Sequence, residues 1–444
     1  MSKKLEERFA FSGDEDLGRL IREFQAGRVA MLPSGLEEHN RIARERPADF
    51  ENHPPVLAFS VGGSNTKVML AERKDGRFIV HHVRTMPNPT TMTPLFDYLD
   101  HLILDDPIFR EYMDTSEQPC LGFSIAVGIT DGVPNHATKI PNIEGFVARD
   151  LKRDASTHHF GKNMAKWFES RGLKQGRLAY QGDAIIAHLG GVATAKLQDG
   201  ETSFLLVCGN GLACANSRHF VLCATNTIIH DDDRLYPAEE MEGGQYQYLV
   251  AGKGAYGLMR RAIHLKAQES DSNLKPETLD PYFATDKDTR HVYEIYESIV
   301  PGGQMKESAA RIKDLVGPEA FAELQWISER IADRAINVLA NCVLSTMIEM
   351  GLKSGDVPPV LFVEGSIALN PALNPRVRET IRTRARNERL YESLGVDAPP
   401  VPDFDRATDP ALPGPGLSEE DAAKVELTLM GTAAMIMAES CMKK

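Results

Sequence analysis

The sequence predicts an α/β protein made of two related lobes. Two observations carry this expectation. Short apolar runs alternate with helical stretches along most of the chain, which is the layout of a sheet covered by helices. An apolar strand, a glycine-rich turn and a second strand also occur twice, near Val56 and again near Ser203, as in a repeated architecture. A length of 444 residues exceeds the usual domain size of about 100–200 residues and leaves room for two cores.

In order, the residues 1–50 form a helical preface. Asp16 to Phe24 carry helix-like periodicity, and a polar run follows at Glu37-Glu38-His39-Asn40-Arg41. From Val56 the runs VLAFSV, KVMLAER and FIVHHV read as three strands. Gly62-Gly63-Ser64-Asn65 joins the first pair and Lys74-Asp75-Gly76 the second. A helix over Leu95 to Ile103 and a buried strand over Cys120 to Val127 come next. Arg177-Leu178-Ala179 is a strand, followed by an apolar helix from Ala184 to Thr194. SFLLVCGNG, ACANS and HFVLCAT give three more short strands from Ser203. Trp326 to Glu349 reads as a long amphipathic helix ended by Gly351, and Val360 to Ser366 as a buried strand opening into a turn. The proline-rich stretch from Pro399 to Pro415 reads as a surface loop. A final helix spans Ala422 to Ser440 and contains Gly431-Thr432-Ala433-Ala434, small enough to approach another backbone or a nucleotide closely.

Composition narrows the function. Fifty Lys and Arg against 63 Asp and Glu give a net charge of −13, which excludes a broad nucleic-acid or anionic-membrane surface. Any phosphate site must therefore come from directed groups. No run reaches the ~18 apolar residues of a membrane span, and the N-terminus lacks the apolar core of a secretory signal. The six cysteines form no CxxC pair, and the set Cys208, Cys214, Cys223 and His219 matches no usual zinc spacing. Reduced thiols in a cytoplasmic protein are the expectation.

Five segments can carry chemistry. Gly62, Gly63, Ser64 and Asn65 can turn backbone N–H groups toward an anion, with Lys67 adding charge; the same composition makes an ordinary hairpin. Gly209-Asn210-Gly211 has the same two readings. Gly365-Ser366 opens a third turn at a strand end. Asp183, after Tyr180-Gln181-Gly182, is placed as a general base for a hydroxyl or as the cap of the helix that follows. Thr138 and Lys139 offer donors to a polyhydroxy ligand from a loop. Asp231-Asp232-Asp233 and His158-His159 read as solvated surface.

The order of these motifs resembles the hexokinase family. Strand-GGSN-strand, LGFSIAVG, ATK, QGDAIIAHLGG, VCGNGLACA, VEGS and GTAAM follow the family's DxGGT, GFT-S, TKGF, NDT, GTGSNA, GS and GKGAA elements in sequence. Tyr246 to Arg260 is similar to its FEKM-x-SG-x-YLGEIVR stretch. The similarity runs from about Val56 to Met437, and its collinearity is what makes it specific. It implies an α/β, two-lobed actin-like ATPase (ribonuclease H-like) fold of hexokinase type. The lobes would be 51–195, carrying the first phosphate turn and the acceptor loop, and 196–421, carrying the second phosphate turn and the adenosine site; 422–444 would pack on the former. ATP and Mg²⁺ would bind between lobes that close over the substrate.

Carried over position by position, Gly62 to Asn65 match the first phosphate turn, Gly209 to Gly211 the second, and Gly365-Ser366 the adenosine-side turn. Asp183 matches the catalytic base, while Ser124, Thr138 and Lys139 match sugar-binding positions. Asn216 and Gln247 join them as acceptor-side candidates. The implied partner is a small sugar or polyol, the implied state a monomer or homodimer, and no protein ligand to the metal is assigned.

Several positions depart from the pattern. The aspartate that approaches Mg²⁺ through water is Ser60. The asparagine beside the catalytic aspartate is Gly182, and the glutamate of FEK is Gln247. The asparagine of GTGSNA is missing from Gly209-Asn210-Gly211-Leu212-Ala213, and the glutamate after Asn226-Thr227 is absent. Unmatched polar groups in a site discriminate strongly between substrates, so the acceptor implied is a hexose or hexose-like sugar other than plain glucose. The alternative is a non-catalytic sensor or scaffold.

Overall fold

The computed structural model describes residues 12–27, 32–51, 53–62, 65–125, 129–130, 133–134, 143, 159–198, 200–209, 211–222, 250–252 and 254–442. The chain divides into two compact units. One takes in Pro33–Asp199, Ala215–Arg218 and Asp405–Lys444; the other takes in Met1–Leu32, Gly200–Cys214 and His219–Phe404. They are called here the Asp183 unit and the Gly209 unit. The stretch that the sequence assigns to a helical preface is shared between them. Gly13–Gln25 lies in the Gly209 unit and Glu37–Glu45 in the Asp183 unit.

The Asp183 unit is built on a mixed sheet. Its strands are β1 (Val56–Val61), β2 (Asn65–Lys74), β3 (Arg77–Pro87), β4 (Cys120–Ile125) and β5 (Arg177–Gly182). The order across the sheet is β3-β2-β1-β4-β5, with the two-residue strand Leu412–Pro413 outside β3. β1, β4 and β5 run parallel, and β2 and β3 form antiparallel hairpins with their neighbours.

Side chains alternate between the faces of a strand, and that alternation separates core from site. Leu57, Phe59 and Val61, with Leu121, Phe123 and Ile125, join the core beneath the sheet. There Phe59 stacks on Phe123 at 4.2 Å and Phe160 meets Phe123 edge-on at 5.0 Å. The intervening residues, among them Ser60 and Ser124, therefore belong to the opposite face.

That opposite face is covered by the helix Leu427–Met442, which packs in turn on the helix Asp183–Thr194. The approach is close enough to require glycine. A Cβ at Gly190 would lie 2.0 Å from the Leu427 carbonyl oxygen, and one at Gly431 1.9 Å from that of Ile186. One at Gly122 would lie 2.7 Å from the Thr432 oxygen. The small-residue run of the final helix thus meets backbone, one of its two sequence-level readings.

The Gly209 unit carries β6 (Ser203–Cys208), most of β7 (Leu212–Asn216, whose last two residues count with the Asp183 unit), β8 (His219–Leu222) and β9 (Val360–Glu364), side by side in the order β8-β7-β6-β9. β6 and β9 are parallel. The long helix Pro318–Glu349 forms its core, with Gly13–Gln25, Thr289–Glu297 and Asn374–Ala385 packed around it. Asn341 Nδ2 donates to Asp16 Oδ2 at 2.8 Å, tying the first of these helices to the centre. By length and composition alone the long helix would cross a membrane, but 83% of its apolar window is buried inside the fold.

Several element boundaries differ from the sequence reading, the long helix beginning at Pro318 rather than Trp326. The helix from Leu95 becomes a π-turn over Asp100–Leu104, where Asp105 N–H reaches the Asp100 carbonyl at 3.0 Å. Asp100 is held from outside by Trp167 Nε1 at 2.8 Å and by Arg171. The final helix is two, Glu419–Ala423 and Leu427–Met442, because Lys424 to Glu426 turn between them. The proline-rich stretch is not all surface: Phe404 is buried, and Leu412–Pro413 pairs with β3.

Candidate active site

The Asp183 unit sets two of the candidate side chains, Lys67 and Ser124, in one row with Ser60 and Gln181. Cross-strand register pairs Lys67 with Ser60, Ser60 with Ser124, and Ser124 with Gln181. Residues directly opposite in adjacent strands share a face. A polar row therefore crosses β2, β1, β4 and β5 on the face away from the aromatic core. Asp183 comes two residues beyond Gln181, as the first residue of the helix Asp183–Thr194.

Gly182 is the cap residue of that helix and offers no side chain to it. Asp183 does part of this work itself, accepting the Ala184 N–H with Oδ1 at 2.7 Å. This corrects the sequence alternative of Asp183 as the cap, and it fixes the rotamer of the carboxyl. The second carboxylate oxygen has no bond among the described residues. Asp183 keeps part of its surface in solvent, yet burial of the carboxyl pushes its pKa up to about 6, against the pull of the backbone N–H groups of Ala184 and Asp183. A carboxyl in that range matches what a general base needs near neutral pH.

Ser124 is fully buried, and its Oγ has no hydrogen-bond partner among the described residues. An unmade hydrogen bond of this kind costs about 1–3 kcal/mol.

The first glycine turn is closed by Gly62 N–H donating to the Asn65 carbonyl at 3.0 Å. It is pinned by Asn88, whose Nδ2 donates to the Gly62 carbonyl at 2.7 Å and whose Oδ1 accepts from Thr66 Oγ1 at 2.8 Å. Asn88 follows β3 and was not singled out by sequence. Lys67 is ion-paired with Glu426, just ahead of the helix Leu427–Met442, so the cation expected to serve a phosphate already has a carboxylate partner.

In the Gly209 unit the other two turns lie together. β6 and β9 end side by side, with Glu364 opposite Val207, and the chain then folds around the end of β6. Ile367 and Ala368 N–H donate to the Cys208 carbonyl at 3.0 and 3.1 Å. Gly365 takes φ +97°, and a Cβ there would sit 2.4 Å from the same oxygen, so only glycine fits. Gly209 N–H closes its own turn on the Gly211 carbonyl at 3.0 Å, and its carbonyl accepts from Gly252 at 2.7 Å. Among the described residues a Cβ at Gly209 would meet nothing nearer than Gly365 Cα and Ser366 N, both at 4.0 Å. That leaves a backbone-lined cradle, and Ser366 is exposed beside it.

Asn216 is not in that cradle. It ends β7, four residues from its start, and its Oδ1 accepts the Arg218 N–H at 2.8 Å in the turn Ser217-Arg218. Gly63, Ser64, Thr138, Lys139, Asn210 and Gln247 lie outside the described residues, as do 246–249 and 253 of the stretch from Tyr246 to Arg260.

The fit to a metal-bound nucleotide divides in two. The glycine cradle suits a phosphate-bearing group, since backbone groups approach it with no side chain in the way. Among the described residues no cluster of three metal-ligating side chains occurs, and Ser60 is neutral.

No protein-family model and no curated protein matches the sequence. Solved structures do match the fold. Hexokinase from Schistosoma mansoni complexed with glucose aligns over 98% of this chain and 97% of its own, at 16% identity and a TM-score of 0.64. A further hexokinase aligns over 98% and 99%, at 14% identity and a TM-score of 0.60. The chain has the fold of the hexokinases, the two-lobed actin-like ATPase fold of the α/β class, as the order of its motifs led one to expect.

Proposed function

We propose that this chain transfers a phosphoryl group from ATP to a hydroxyl of a hexose or hexose-like sugar, with Asp183 as the general base. The observation that carries this is the Asp183 carboxyl itself. One oxygen is fixed on a backbone N–H, the other is unengaged among the described residues, and burial holds the group at about 6. The matching fold is that of hexokinases, one of them in complex with glucose.

The roles follow from the chemistry of the residues. Gly209, Gly211, Gly365 and Ser366 hold phosphates and the nucleoside side through backbone groups and one hydroxyl; Gly62 to Asn65 hold phosphates in the Asp183 unit. Asn210, Gly63 and Ser64 belong to the same turns by sequence. The bound nucleotide supplies the transferable phosphoryl, and its Mg²⁺ neutralises charge. Ser124 Oγ gives its missing hydrogen bond to the acceptor. Thr138, Lys139, Asn216 and Gln247 are further acceptor-side candidates, with Lys139 orienting the reacting hydroxyl. Asp183 takes the proton of that hydroxyl on its unengaged oxygen as the new bond to phosphorus forms.

The test is ADP release across a panel of hexoses, amino sugars and cyclitols with folded protein. Acceptor-dependent turnover is expected, strongest for a sugar other than glucose. No turnover with any of them refutes the reading. A second reading, a sugar-responsive protein without catalysis, is favoured by neutral Ser60 and by the pairing of Lys67 with Glu426. It predicts that Asp183→Ala leaves the biological activity intact.

A further inference from the structure

We infer that Gln181 is a positioning residue for Asp183, through an amide bridge between Gly182 and Ser34 that also fastens the turn Ser217-Arg218. The inference rests on the proposed role of Asp183.

Gly182, directly before Asp183, has no side chain with which to anchor itself. The Gln181 side chain folds over it, and Gly182 N–H donates to Gln181 Oε1 at 2.9 Å. On its other side Gln181 Nε2 donates to the Ser34 carbonyl at 3.2 Å. Ser34 is fully buried and uses every polar group it has. Its N–H donates to the Arg218 carbonyl at 2.7 Å and its Oγ to the Ser217 carbonyl at 2.8 Å. The same Oγ accepts from Leu36 N–H at 3.2 Å. One glutamine amide thus joins the strand end that presents the base to a segment 147 residues earlier, and through it to the turn closed by Asn216.

A glutamine at this position of a strand is otherwise hard to rationalise. Buried amides are retained when both ends are satisfied, and here each end holds a different backbone segment. Loss of the bridge leaves Gly182 N–H and the Ser34 carbonyl without partners and releases the strand end. The carboxyl of Asp183 would then reach water more readily.

The experiment compares the full chain with Gln181→Leu, Gln181→Glu and Ser34→Ala. Hydrogen exchange read by mass spectrometry is expected to rise up to about tenfold in peptides covering 34–36, 182–184 and 215–218 of Gln181→Leu. Exchange of Cys120–Ile125 should stay unchanged. Gln181→Glu keeps the acceptor for Gly182 but not the donor to Ser34. It should loosen 34–36 and 215–218 while sparing 182–184. Ser34→Ala keeps the bonds of its backbone to Gln181 and Arg218 but loses those of its hydroxyl to Ser217 and Leu36; it should loosen 34–36 and 215–218 while sparing 182–184, which preserves the test should Gln181→Leu not fold. On the sugar that turns over, kcat should fall about tenfold in Gln181→Leu with KM for ATP unchanged, and the acid limb of the pH profile should move below 6. Unchanged exchange in these three segments, or acceleration spread evenly over the unit, overturns the inference. So does a fall in kcat with the acid limb unmoved, since a merely structural residue would give that. If the parent turns over no sugar, the proposed function fails while the exchange data still decide the bridge.

Discussion

Asp183→Asn separates the catalytic from the structural consequence of one carboxyl. Asparagine keeps an oxygen for the Ala184 N–H, so the helix start is retained while the charge is lost. The carboxyl is raised from 3.8 to about 6, and a difference of roughly 2 units corresponds to about 3 kcal/mol. Partial exposure makes that an upper value, and roughly 1–3 kcal/mol is the working range. The sign follows from proton counting. Between pH 4 and 6 the folded state binds the proton that the unfolded state has released, so the parent loses stability as pH rises through that window. The variant has nothing to titrate. Its advantage should be absent at pH 4, grow to pH 6 and stay constant above. Urea unfolding followed by tryptophan fluorescence reads this, with Trp167 reporting the Asp183 unit and Trp326 the other. Turnover should fall by about 10²–10⁴, and parent activity should rise with pH to a plateau above about 6. A stability difference that does not change with pH, or that favours the parent above pH 6, refutes the assignment of this carboxyl as buried and ionised at neutral pH.

Further perturbations address the rest of the site. Ser124→Ala removes an unpartnered buried hydroxyl, so the urea midpoint should hold or rise, by up to about 1–3 kcal/mol in stability, while acceptor kcat/KM falls at least tenfold. Gly365→Ala forces a side chain into φ +97° and onto the Cys208 oxygen; loss of more than about 2 kcal/mol should appear in the Trp326 transition, together with weakened ADP binding by calorimetry. Glu426→Gln frees Lys67 from its ion pair. ADP binding without metal should tighten several-fold at low ionic strength, and the gain should fade as salt screens the charge.

Much of this arrangement is visible in the sequence because it is local. Short apolar runs mark β1 and β4, and glycines at strand ends mark the turns that the structure puts beside Cys208. Motif order supplied the fold, since no single turn distinguishes a phosphate cradle from a hairpin. What escaped detection depends on distant pairing. Glu426 meets Lys67 across 359 residues, and neither position is unusual in its own segment. Ser34 lies in a short polar stretch whose meaning comes only from Gln181 and Arg218. The π-turn at Asp100–Leu104 is likewise imposed from outside, by Trp167 and Arg171 gripping Asp100. The break before Leu427 had no proline or glycine to announce it.

The glycines that let Leu427–Met442 lie against Asp183–Thr194 have a consequence for synthesis. The second of these helices is made more than two hundred residues before its partner, and in between the chain passes through all of 219–404, which belongs to the other unit. The emerging polypeptide must therefore carry the strand face bearing Ser60 and Ser124 uncovered until its last helix arrives. The apolar helix Asp183–Thr194 is left open for the same time, and exposed apolar surface of that duration invites association. A ribosome that stops short of Leu427 should release a chain with one finished half and one open sheet, a substrate for chaperones and proteases.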